Sequence, residues 1–207
     1  RFDSGSSPSP LNFHLLTSSS QPSLHTLDLP ISSLTSQDLG SFSSLTSLTL
    51  TLAERYLPRD EDLPHPRPAG HPGSGRDDAR CLRRLKQVLK GAEGATVPLK
   101  RLEVYEPRYA ATSAFRPATF EEEDVLRAVP SSVEELDLAT LQVGLRYIRE
   151  AFSSRPAAGE GEEAPGSVCE GLKTLVLGTG SVASAGEGEV RETVGVLAKR
   201  GVAVRWA

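Results

Sequence analysis

Two cysteines in 207 residues, Cys81 and Cys169, are too few for a disulfide framework or a Cys-rich metal site. That scarcity points to a reducing compartment, cytoplasmic or nuclear. No apolar run approaches the roughly 18–20 residues that cross a bilayer, and no signal peptide is visible, so a membrane is not an expected partner. Methionine is missing altogether and the first residue is Arg1, which reads as a piece of a longer protein. The net charge of −4 gives no basic excess, so nucleic acid is not expected either. No G-x-S-x-G elbow occurs, no P-loop lysine follows a glycine-rich turn, and neither cysteine has a histidine near it in sequence. No catalytic residue, cofactor or metal is therefore assigned.

What the chain does have is leucine at a fixed spacing. The pattern L-x-x-L-x-L starts at Leu24, Leu45, Leu99 and Leu172, with a variant at Val133. The first interval is 21 residues, inside the range of about 20–29 expected for leucine-rich repeats. The later intervals of 54, 34 and 39 hold an insertion or a helix. In each copy the last two apolar residues are two apart, so a short strand points both to one face. One such unit cannot bury its own apolar face and needs stacked neighbours. The expected fold is α/β: a leucine-rich-repeat-like solenoid, with parallel strands on one face, helices on the other and Pro/Gly-rich insertions. An ordinary α/β domain with unrelated Leu-rich strands is the alternative.

Helices are expected between the strands. Thr35 and Asp38 have the spacing of a capping box, ahead of inward-facing Leu39 and Phe42. Asp77 or Asp78 caps a helix to about Lys90, with Leu82, Leu85, Val88 and Leu89 as its stripe and Gly91 as its stop. Thr119 and Glu122 start another, carrying Val125, Leu126 and Val129. Thr140 leads a third, with Leu141, Leu145, Ile148 and Phe152 on one side. A fourth runs from about Glu187 to Arg200, with Val190, Val194 and Leu197 inward and Gly201 as its cap. Val202, Val204 and Trp206 alternate as a last strand, and Asn12–Leu16 reads as an edge strand.

Residues 1–10 are expected to be a disordered tail, and 11–207 one domain with flexible insertions at 57–75 and 153–167. Neither insertion holds a packable apolar stripe. His65, His71, Asp60 and Asp62 lie in the first, where a Pro-rich loop does not preorganise a metal. The acidic run Glu121–Asp124 suits a helix start better than acid–base work. The basic helix face of Arg80, Arg83, Arg84, Lys86 and Lys90 reads as solvated. Gly178-Thr-Gly180-Ser-Val-Ala183 follows a strand as a dinucleotide fingerprint does. It keeps open an alternative function, a small α/β enzyme binding a nucleotide near Gly178–Ala183, though no acidic residue follows the next strand to hold a ribose.

The phrases Leu99-Lys-Arg-Leu102-Glu-Val104, Ser131-Ser-Val133-Glu-Glu-Leu136-Asp-Leu138 and Leu172-Lys-Thr-Leu175-Val-Leu177 resemble the strand segments of irregular fungal leucine-rich-repeat proteins, many of which carry an F-box upstream. That resemblance implies the substrate-recognition part of a cullin-type ubiquitin ligase. The ligase adaptor would then be contacted through an upstream F-box that this stretch does not contain.

Stacking the strands in parallel lines their outward residues into columns. One would hold Thr26, Ser47, Arg101, Glu135 and Thr174. The next would hold Asp28, Thr49, Glu103, Asp137 and Val176. The third would hold Pro30, Thr51, Tyr105, Ala139 and Gly178. Arg101, Glu103, Tyr105, Glu135 and Asp137 are the candidate protein-binding residues, with Tyr105 as an aromatic anchor.

Overall fold

The computed structural model describes residues 23–31, 34, 38–52, 74–106, 124–141, 143–153, 168–179, 181 and 185–207. The expected N-terminal tail, the Asn12–Leu16 strand, Thr35, Thr119 and most of both insertions, with His65 and His71, lie outside these residues.

Six strands form one parallel sheet whose order follows the chain: β1 (Thr26–Pro30), β2 (Ser47–Thr51), β3 (Arg101–Tyr105), β4 (Glu135–Leu138), β5 (Thr174–Leu177) and β6 (Ala203–Trp206). Among the described residues three α-helices lie between them: α1 (Ser74–Gly94), α2 (Leu145–Ser153) and α3 (Glu187–Lys199). The described parts of the other two connections carry 3-10 turns, Asp38–Ser41 and Val125–Ala128. Each crossover thus returns the chain to the start of the next parallel strand over the same face.

The register has no slip. Leu27, Leu48, Leu102, Leu136, Leu175 and Val204 make one row, and Leu29, Leu50, Val104 another. Leu48, Leu50, Leu102, Val104, Leu136, Leu138, Leu175 and Leu177 are all buried. Period-two alternation puts these side chains on one face, and that face meets the helices and 3-10 turns. Leu85, Val88, Leu89 and Ala92 of α1, Val125 and Leu126, Leu145, Ile148 and Phe152 of α2, and Leu197 of α3 complete a single apolar cluster with it.

Several helices differ from the sequence expectation. α1 passes through Gly91, whose carbonyl accepts the Ala95 N–H at 3.1 Å, because the apolar stripe continues to Ala92. Beyond its last helical residue, Gly94, the chain turns at Thr96, in the left-handed region with φ 54°. There the Val97 N–H reaches Ala92 O and the Thr96 N–H reaches Glu93 O. α3 ends with the same pair of bonds, Val202 N–H to Leu197 O and Gly201 N–H to Ala198 O, with Gly201 at φ 75° as the expected cap.

The segment carrying Val125 and Leu126 is a 3-10 turn, since Asp124 adopts φ 49°, ψ 49° and cannot continue a right-handed helix. The segment after Thr35 is likewise a 3-10 turn, with Leu39 and Phe42 buried as expected. α2 starts at Leu145, not after Thr140. The Thr140 hydroxyl instead accepts the Glu106 N–H at 2.8 Å, tying the end of β3 to the end of β4. In α3 the buried polar position is Thr193, whose hydroxyl donates to Glu189 O at 2.8 Å, while Val194 is half-exposed. A threonine that bonds its own helix can be buried in place of valine.

Candidate interaction surface

Residues 24–29 and their counterparts send every second side chain away from the helices. The pairing register joins Thr26, Ser47, Arg101, Glu135 and Thr174 into one column and Asp28, Thr49, Glu103, Asp137 and Val176 into the next. Tyr105 pairs with Thr51 at the start of the third. All five candidate residues therefore fall on adjacent strands β3 and β4, with Arg101 and Tyr105 exposed and Glu103, Glu135 and Asp137 half-buried.

Arg101 sits at the centre of three carboxylates. Its guanidinium is 3.7 Å from Glu135, 3.8 Å from Glu103 and 3.9 Å from Asp137. These separations exceed hydrogen-bond length, so the attraction is coulombic and the N–H donors are not spent on the carboxylates. Thr49 Oγ1 donates to Glu103 at 3.4 Å, and Asp137 accepts the Ala139 N–H at 3.0 Å, which steady the two acids. Across the outward columns, Asp28, Glu103, Glu135 and Asp137 stand against Arg101 and Arg205, leaving the surface acidic. Tyr105 is 37% exposed, and its backbone carbonyl, not its ring, is held by the Leu52 N–H.

Just before the strands, Glu134 accepts Lys100 Nζ and Lys173 Nζ, each at 2.6 Å. Those two bonds hold its carboxyl down to about 2. This ladder joins β3, β4 and β5 along one margin of the surface. The leucine spacing alone does not point to these residues, although the position preceding each strand forms a column as regular as the others.

Two residues expected on the outward side are not available there. Val176 is buried, lying between Asp137 and Arg205 in its column. Gly178 is buried because the backbone of Ala139 leans over it: a Cβ added there would stand 1.9 Å from Ala139 O. That contact accounts for the first glycine of the Gly178-Thr-Gly180 motif without any phosphate. Ser181, from the same motif, is buried, and its hydroxyl accepts the Val143 N–H at 3.1 Å. Both residues serve the junction between successive units.

On the helix side, a cleft of about 490 Å³ opens between α1 and the Val125–Ala128 turn, with Lys90, Asp124, Arg127, Cys169 and Glu170 in its wall. Its charges are of both signs, and Asp124 is taken by Arg127 at 2.8 Å and by the Tyr147 hydroxyl at 3.1 Å. Burial pushes the Cys169 thiol up to about 12, so it stays protonated and is a poor nucleophile. It donates to Leu126 O at 3.4 Å. Among the described residues no group of three potential metal ligands occurs, and no helix is long and apolar enough to cross a membrane. No protein-family model matches the chain, and no curated protein matches it.

Proposed function

We propose that this chain is a protein-interaction module, a leucine-rich-repeat-like solenoid that captures a protein target on the outward face of its sheet. The observation that carries the reading is the cluster around Arg101: four charged side chains from two adjacent strands, beside the half-exposed ring of Tyr105. A flat array of strand side chains gives a target many contacts without reshaping the scaffold. Tyr105 supplies rigid apolar area, and the acidic surround selects a target surface of positive potential and speeds its encounter.

The most concrete form of the proposal is substrate recognition for a cullin-type ubiquitin ligase, acting in the cytoplasm or nucleus. That form rests on the resemblance of the strand segments alone. It has no catalytic step of its own. The alternative reading is a small α/β enzyme binding a nucleotide near Gly178–Ala183; against it, Gly178 packs on the Ala139 backbone and the Ser181 hydroxyl is taken by the Val143 N–H.

The test immobilises the chain and compares proteins captured by the parent, by Tyr105→Ala, by Glu135→Lys and by the helix-side control Lys199→Glu. A target retained by the control and lost by both sheet variants is the expected result. Equal capture by all four sinks the sheet-face reading. If cell extract containing this protein yields no ligase adaptor on pull-down, the ubiquitin role falls while target capture stands.

A further inference from the structure

The outward face is not the only surface with unmet demands. The Ala203 N–H bonds Lys173 O at 2.8 Å, the Ala207 N–H bonds Leu177 O at 3.0 Å, and the Thr179 N–H bonds Ala207 O at 3.3 Å. In a parallel pair, alternate residues send both backbone groups to the same neighbour. The backbone N–H and C=O of Val204 and Trp206 therefore point the other way, where no described strand pairs with them. Their side chains extend the two core rows: Val204 follows Leu175, and Trp206 follows Leu177. Leu175 and Leu177 are fully covered, whereas Trp206 is 41% exposed. Between them Arg205 faces outward, beside Val176, and forms no ion pair with any described residue.

The opposite edge is built differently. The Ser47 N–H bonds His25 O, so Thr26, Asp28 and Pro30 carry the outer groups of β1. Pro30 has no N–H, and proline at an edge blunts strand addition. Among the described residues no proline or covering segment protects β6 in the same way.

We propose that the free edge of β6 takes up an extended segment of a partner protein, in which an acidic residue lies between two apolar ones. The segment adds a seventh strand. Its two apolar side chains cover Val204 and Trp206 on the helix side, its backbone completes the ladder, and its carboxylate meets Arg205 on the outward side. The chain itself uses this pattern where strands sit inside the sheet, as Leu102-Glu103-Val104 and Leu136-Asp137-Leu138.

The only tryptophan of the chain lies at this edge and reports on it. The experiment titrates the 207-residue protein with a capped peptide copying residues 134–139, EELDLA, while recording tryptophan emission. A saturable blue shift is expected. With Arg205→Glu, binding of this peptide should weaken by about fivefold or more, and a peptide carrying lysine in place of the acid that faces residue 205, the position of Asp137, should regain it. No shift at millimolar peptide, or the same affinity for both peptides on both proteins, overturns the proposal. A blue shift that grows with protein concentration in the absence of peptide, accompanied by faster sedimentation, assigns the edge to a second copy and overturns it equally.

Discussion

A methyl group at Gly178 would meet the Ala139 carbonyl oxygen at 1.9 Å, and one at Gly171 would meet Ser131 O at 2.1 Å, while at Gly195 in α3 it would meet nothing within 4 Å. Gly178→Ala should therefore force two backbones apart and destabilise by several kcal/mol, on the order of the larger core defects. Gly195→Ala should stabilise by up to about 1 kcal/mol through helix propensity. Urea midpoints of the two variants check this, and equal midpoints would refute the close approach at Gly178. Charge at the residue scale gives a second expectation. The Glu134 carboxyl is depressed from 4.5 to about 2 by its bonds to Lys100 and Lys173. A depressed carboxylate contributes its stability above pH 4.5 and loses it as pH falls towards 2. Because the group is solvent-exposed, the effect is screened and small. Replacing Glu134 with Gln should flatten the Tm-against-pH curve between 4.5 and 2 and leave its shape above pH 6 unchanged.

Among elements, the two helix ends make a controlled comparison. α1 and α3 close with the same bonds, but one places Thr96 in the left-handed region and the other Gly201. A β-branched residue is strained there, and glycine is not. Thr96→Gly should raise stability by about 1 kcal/mol and Gly201→Thr should lower it by a similar amount, read as shifts in Tm. The strands were legible in the sequence, because Leu at i, i+3 and i+5 leaves little choice of face. So was the alignment of Arg101 with Glu135 and of Glu103 with Asp137, which follows once the copies pair without slip. The helix limits were harder to read. Gly91 looks like a stop, yet Ala92 still faces the core. Thr140 looks like a cap, yet it bridges to Glu106. Val194 fits the apolar stripe, yet Thr193 fills the site by bonding its own helix. In the first two cases a tertiary contact outweighed a local preference worth less than about 1 kcal/mol. Trp206 could be assigned to a strand from alternation, but its exposure depends on being last in the sheet.

Over the whole molecule, burial is uneven from one end of the sheet to the other. Leu102 and Leu136, in the middle, are shielded on both sides by neighbouring strands, whereas Leu27 in β1 is only partly buried. Leu102→Ala should cost about 2–5 kcal/mol and Leu27→Ala distinctly less, as measured by chemical denaturation. Hydrogen exchange should follow the same gradient. The Ala203 and Arg205 amides, directed at β5, should exchange slowly, and those of Val204 and Trp206 quickly; the reverse order would contradict the edge geometry.

The agreement between strand order and chain order also bears on how the molecule is made. As a ribosome releases the chain from its N-terminal end, every strand after β1 emerges to find its one earlier partner already present. No strand must hold a gap open for a later arrival or insert between two that have met. The stretch joining β2 to β3 is roughly three times as long as that joining β1 to β2, which adds only about 1 kcal/mol of closure entropy. Growth of the sheet can thus keep pace with translation, each new strand extending a template that the previous one left exposed.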